Sequence, residues 1–156
     1  MKKFIRDSIE YFGITEDLPD KIDAFRDIIV DKKILLKDVK PSIKSFIKCV
    51  IKPEISDYKI INGASANGEN GTRLTGIKCI VNGFISSRVE YIADNNSESL
   101  FTDRIKIPFT TNIVLEDDYL YSSKLISSVF VEDIYIEKLN GREYLISLAL
   151  LVIVEI

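Results

Sequence analysis

Between Ile77 and Phe109 the chain alternates apolar and polar residues, and this period of two constrains the fold more than any other feature of the sequence. Ile77, Cys79, Val81, Ile85, Val89 and Tyr91 fall on one face of an extended segment, while Lys78, Asn82, Ser86, Arg88 and Glu90 fall on the other. Successive side chains of a strand point to opposite sides, so one face is expected to be buried. Gly83 interrupts the alternation and brings Ile80 and Phe84 to the opposite side, which predicts a bend where the strand passes between sheets. After a polar turn, Phe101, Ile105, Ile107 and Phe109 resume the pattern. Pro108 lacks a backbone donor and is expected to end that strand.

The same period governs the last third of the chain. Residues 125–139 and 142–156 flank Asn140-Gly141, the strongest two-residue hairpin signal, because both central positions of a type I′ turn need positive φ. Such a turn sets Val131 opposite Leu150, Val129 opposite Val152 and Tyr135 opposite Ile146, apolar against apolar. Both faces of the final strand are apolar, so it is expected to lie centrally between layers. Upstream, residues 49–61 read as a strand that Pro53 confines to an edge or a bulge. Residues 62–75 are rich in Gly, Asn and Ser and read as a mobile loop.

The first 47 residues read differently. Phe4, Ile5, Ile9 and Phe12 fall on one helical face closed by Gly13, and Ile22, Phe25, Ile28 and Ile29 do so after Pro19. Residues 33–37 read as a brief strand, and residues 41–47 as a third helical turn opened by Pro41. The expected architecture is therefore α+β. Short helices in a segment of residues 1–32 pack beside a mainly antiparallel β-sandwich or partly open barrel of long, bent strands over residues 33–156, the whole forming one compact unit.

Composition narrows the chemistry. The chain has 156 residues, a formal net charge of −3 and no histidine. The missing residue is the commonest general base and metal ligand and the usual pH switch. The acidic balance argues against nucleic-acid binding, which calls for clustered Lys and Arg. Arg6, Asp7 and Glu10 break the apolar stretch that a signal peptide would need, so a cytoplasmic location is expected. No apolar run approaches the ~20 residues of a membrane span. Cys49 and Cys79 sit among aliphatic neighbours and are expected to be reduced, buried thiols.

Several motifs fail on inspection. Gly63 and Gly68 have P-loop spacing, but Glu69 stands where that motif needs Lys. Asp94-Asn95-Asn96-Ser97-Glu98 starts like an EF-hand loop, yet Ser99 replaces the required glycine, and a solvated turn is expected. Glu116-Asp117-Asp118 is a dense acidic cluster and reads as a solvated loop. Asn70-Gly71-Thr72 and Asn95-Asn96-Ser97 match a glycosylation pattern and read as turns. No nucleophile–base spacing is found, and no cofactor or metal site is expected.

An ordered set of short elements supplies a biological setting. Lys40-Pro41-Ser42-Ile43, the strand over residues 50–61, Arg73-Leu74-Thr75-Gly76, Val81-Asn82-Gly83, Val89-Glu90-Tyr91-Ile92-Ala93-Asp94 and Ile107-Pro108-Phe109-Thr110-Thr111-Asn112 follow one another in the order of a known pattern. In this respect residues 33–156 resemble the SPOCS domain of clostridial spore-coat morphogenesis proteins, with Glu98-Ser99-Leu100 departing from the Val-His pair that the family often carries. The resemblance marks Gly83, Tyr91, Asp94, Pro108 and Phe109 as motif residues with a structural role. It implies a non-enzymatic interaction domain in endospore coat or envelope morphogenesis, working in the mother cell at the forespore surface. The implied partner is a spore-envelope morphogenetic protein or a second copy of the chain. A small-ligand or glycan-binding module is the rival expectation, and an enzyme ranks third.

Overall fold

The structure, a computed structural model, describes residues 2–63, 66–71, 73–74, 76–116 and 124–155. Ten strands follow in order: β1 (Lys3–Arg6), β2 (Ile9–Phe12), β3 (Ala24–Leu35), β4 (Ile43–Asn62), β5 (Ala66–Asn67), β6 (Arg73–Leu74), β7 (Ile77–Ala93), β8 (Leu100–Val114), β9 (Ile126–Lys138) and β10 (Glu143–Glu155). A five-stranded sheet runs β1-β2-β4-β7-β8, a three-stranded sheet runs β3-β10-β9, and β5 pairs with β6 alone. Every pairing is antiparallel except β2 with β4. Among the described residues there is no helix, so the expected α+β class gives way to an all-β, sandwich-like arrangement of two sheets.

The alternation of β7 is realised along its whole length, with Cys79, Val81, Ile85, Val89, Tyr91 and Ala93 all buried. Opposite them Tyr144, Ile146, Leu148, Leu150, Val152 and Val154 of β10 are buried too. These two rows are the heart of the core. As its apolar faces predict, β10 is the central strand of its sheet. Cys49 and Cys79 are free, buried thiols.

The N-terminal helices are replaced by strands for identifiable reasons. In β3 the inward residues are Ile28, Val30 and Ile34, at strand spacing, while Phe25 and Ile29 point outward and together with Ile28 imitate a helical stripe. In β4, Ile43, Phe46 and Cys49 are all buried at intervals of three because the pairing with β7 skips Lys44 and Ile47. Two bulges thus turn a strand into an apparent helix of period near three. Residues 3–12 form a hairpin whose turn residues Asp7 and Ser8 have φ of 51° and 64°, as a type I′ turn requires.

Asn140-Gly141 does not form the expected type I′ turn. Gly141 lies outside the left-handed region, Arg142 N–H donates to Asn140 Oδ1 at 2.8 Å, and the first pair across the loop is Lys138 with Tyr144. The longer loop shifts the register by one residue, so Ile146 faces Ile136 and not Tyr135. A bulge at Glu132 then restores the expected facing of Val131 with Leu150 and of Val129 with Val152.

Four other expectations are settled by pairing. Pro53 lies on β4 beyond its last pair with β2, at Val50, and there β4 is an edge. The strand holding Pro108 does not end there; β8 runs on to Val114, because β8 is bonded only to β7 and its other side needs no donor. At Gly83 β7 does not pass between sheets but continues in one ladder. Residues 62–75, read as a loop, contain the β5–β6 pair.

Relieving the left-handed strain at Ser8 tests the N-terminal hairpin. Ser8→Gly is expected to stabilise the fold by up to about 1 kcal/mol, since a residue with a side chain is penalised at positive φ. A thermal melt should show a rise of a few degrees, and a fall would contradict the turn assignment.

Candidate functional site

The five residues that the resemblance marks fall into two structural groups. Gly83 is paired with Phe109 across β7 and β8, and a methyl group added at Gly83 would lie 2.6 Å from the Phe109 ring and would also strike the Glu54 carbonyl oxygen. The glycine therefore makes room for an aromatic ring laid over it. Pro108 is the exposed neighbour, paired with Phe84. At the far end of β7, Tyr91 is buried, donates its hydroxyl to the Pro41 carbonyl at 2.8 Å and stacks on Phe101 at 6.2 Å between centroids. Asp94 N–H donates to the Ser42 carbonyl at 2.8 Å, while its side chain is exposed. Only Pro108 and Phe109 share a cleft, the groove between β3 and β8 described below; Gly83, Tyr91 and Asp94 serve packing or chain direction.

Of the other candidates, Asp94 to Ser99 forms an exposed turn in which the Ser97 hydroxyl donates to Asn95 Oδ1 at 2.9 Å. Asp117 and Asp118 lie outside the described residues. No group of His, Cys, Asp and Glu suited to a metal ion occurs among the described residues.

Sequence reading missed a buried polar cluster. Asp103 is the one carboxylate buried in the core among the described residues. It accepts from the Tyr144 hydroxyl at 2.8 Å, and the Lys40 ammonium lies 3.9 Å from its other oxygen. Burial, then the hydrogen bond and charge of Asp103, hold the Tyr144 phenol far above its ordinary range. The group is locked in one protonation state and is placed to tie β10 to β8. Cys49 is equally inert: burial pushes its thiol up to about 12, against a small opposing influence of Ser87.

The feature with binding character lies on the outward face of the large sheet. Outward residues of β4, β7 and β8 form rows set by the register: Val50, Arg88 and Arg104, then Lys52, Ser86 and Lys106. These six residues line a groove of about 420 Å³. Arg88 and Arg104 are directly opposed, and like charges so placed repel. Among the described residues neither has a carboxylate partner, and Arg88 Nε is buried with no hydrogen-bond partner. Lys52 lies 3.7 Å from Glu54, and Lys106 sits 4.4 Å above the Phe84 ring. The cations come from positions spread over more than fifty residues of sequence, and only the strand register gathers them. Assigning outward positions strand by strand is the signal that could have found them.

A second groove of about 510 Å³ runs between the edges of β3 and β8, lined by Arg26, Ile28 to Asp31 and Pro108 to Asn112. Arg26 Nη1 bridges it to the Asn112 carbonyl at 3.3 Å. On the other flank Arg6 joins the sheets, its guanidinium 2.7 Å from Asp133 of β9 and over the rings of Phe4, Tyr11 and Tyr135.

Comparison with known protein families, curated proteins and solved structures gives no match.

Two outcomes are expected from these contacts. Gly83→Ala should destabilise the fold by roughly 1–3 kcal/mol through overpacking against a backbone oxygen and the Phe109 ring, read as a lowered Tm. A neutral effect would show that β7 and β8 are not this close. Cys49 should resist alkylation at neutral and mildly alkaline pH, because the thiolate is the reactive form and the native thiol stays protonated until about 12. Modification faster than global unfolding would contradict its placement.

Proposed function

We propose that this chain is a non-catalytic interaction module that takes part in assembling the envelope of a spore, binding another envelope protein. One observation carries the interaction reading. β3, an outer strand of its sheet, turns Phe25, Ile29 and Leu35 to solvent at 60%, 66% and 70% exposure while its inward residues close the core. Large apolar side chains recurring along an exposed outer strand offer a surface to another protein. The ordered resemblance of residues 33–156 to the SPOCS pattern supports the spore setting. The absence of histidine, together with a buried Tyr144 phenol and a buried Cys49 thiol that both hold their protons, supports a non-catalytic role.

Phe25→Lys combined with Ile29→Lys should leave the fold intact, since both side chains are already solvated, and should abolish partner binding. The check is affinity capture from sporulating cells with the wild-type chain and the double variant side by side, identified by mass spectrometry. A spore-envelope protein held by the wild type and lost by the variant is the expected result. Equal capture by both, or a normal coat in cells lacking the protein, would overturn the reading. Sedimentation of the purified chain separates pairing with a second copy from binding a different protein.

A further inference from the structure

On the large sheet's outward face, away from β3, we propose a binding site for a small molecule carrying a phosphate or diphosphate group. The geometry is that of two adjacent cross-strand rows. Arg88 and Arg104 oppose each other on β7 and β8, and one row along Lys52 and Lys106 flank Ser86. Cross-strand Cβ atoms lie about 5 Å apart and rows on one face about 7 Å apart, so the four cations frame an area the size of one or two phosphate groups. Ser86 adds a hydroxyl at the centre, and Val50 provides an apolar wall. A volume of about 420 Å³ falls in the range of small-molecule sites.

Two observations point to an anion and not to a merely solvated basic face. Arg88 Nε is buried and has no acceptor among the described residues, although a guanidinium is well suited to bidentate bonds with phosphate. Arg88 and Arg104 are held directly opposite each other with no ion-paired carboxylate among the described residues, an arrangement that an intervening anion converts from repulsive to attractive. The site is bounded on both sides by acids, Glu54 beside Lys52 and Glu90 opposite Lys48. A nucleic-acid backbone would meet those carboxylates wherever it left the groove, and the chain as a whole carries −3. A compact ligand avoids both. Phe84 stands in the next row with the Lys106 ammonium 4.4 Å over its ring, so a ligand phosphate that draws Lys106 away would free the ring for a planar group on the ligand.

The test uses the full chain at low ionic strength with inorganic phosphate, inorganic pyrophosphate and phenyl phosphate as probes. Calorimetry and the Nε–Hε signals of arginine in ¹⁵N-labelled protein are followed together. Expected are saturable binding at or below ~1 mM, tighter for pyrophosphate than for phosphate, a shifted Arg88 Nε–Hε signal, and weakening by salt. Arg104→Gln and Lys106→Gln are both exposed, fold-neutral changes, and each should weaken pyrophosphate about tenfold, the loss of one charge-assisted hydrogen bond. Preference for phenyl phosphate over inorganic phosphate would place the organic part against Phe84, and its loss in Phe84→Ala would confirm that. Absence of saturable binding by any probe, or equal binding by the wild type and both variants, would overturn the proposal. Since Phe25 and Ile29 lie on the other sheet, the variant Phe25→Lys/Ile29→Lys should bind pyrophosphate normally, so failure of either proposal is visible on its own.

Discussion

Everything in this fold depends on the facing of two rows of side chains, the inward row of β7 and the inward row of β10. A strand of seventeen residues with one fully buried side leaves no freedom of register, because a slip of one residue would carry every apolar group to solvent. The neighbours β4 and β8 must then match it. The polar groups that enter this core are few, and two of their hydrogen bonds join one sheet to the other. Tyr144 of β10 reaches Asp103 of β8, and the Ile136 amide of β9 donates to the Tyr11 hydroxyl of β2 at 3.2 Å. A buried hydroxyl needs a partner, so each of these tyrosines fixes the sliding of one sheet over the other in a way that aliphatic packing alone does not.

What the sequence conveys and what it conceals both follow from this register. Where pairing is regular, as along β7 and at the centre of β10, period two is plain in the letters. Where a bulge intervenes, the letters mislead. Lys44 and Ile47 are extra residues in β4, so Ile43, Phe46 and Cys49 stand three apart and look helical. Phe25 and Ile29 mislead for the opposite reason, since they are apolar yet outward, and a pattern that assumes apolar means buried assigns them to a helix face. Turn chemistry was misplaced as well. Asn140-Gly141 carries the stronger local signal, but Gly141 packs 3.3 Å from Ser42 as judged from an added methyl group, and the Ile43 amide bonds its carbonyl. Tertiary contacts decide that loop. The positive φ values went to Asp7 and Ser8, residues that tolerate them less readily than Asn-Gly.

The motif residues and the basic groove show the same division. Gly83 and Phe109 are conspicuous in sequence, yet their meaning is a contact between strands twenty-six positions apart. Lys52, Arg88, Arg104 and Lys106 are inconspicuous because each stands in a mixed neighbourhood and the chain is acidic overall. Net charge averages over the surface, whereas a ligand responds to the few groups within a Debye length. An acidic protein can therefore carry a cationic groove, provided that its acids lie elsewhere.

Apart from Glu54 and Glu90 at the ends of the groove, many of them do lie elsewhere. The outward face of the small sheet bears Asp27 and Asp31 on β3 and Asp133 and Glu137 on β9, while Glu132 occupies the bulge beside them. There Asp27 shares a hydrogen bond with Glu132 and, with burial and like charge, holds the Glu132 carboxyl above its usual range. A carboxyl so raised binds its proton more tightly in the native state. It therefore favours the fold below its unfolded pKa and loses that contribution as pH rises through the native value. The two sheets thus turn opposite charge to solvent, basic on the five-stranded face and acidic on the three-stranded one. Phe25 and Ile29 sit among the acids, so a protein docking on β3 must offer apolar surface ringed by basic groups, whereas a ligand of the groove must be an anion. The polarity of the molecule would keep those two proposed kinds of partner apart.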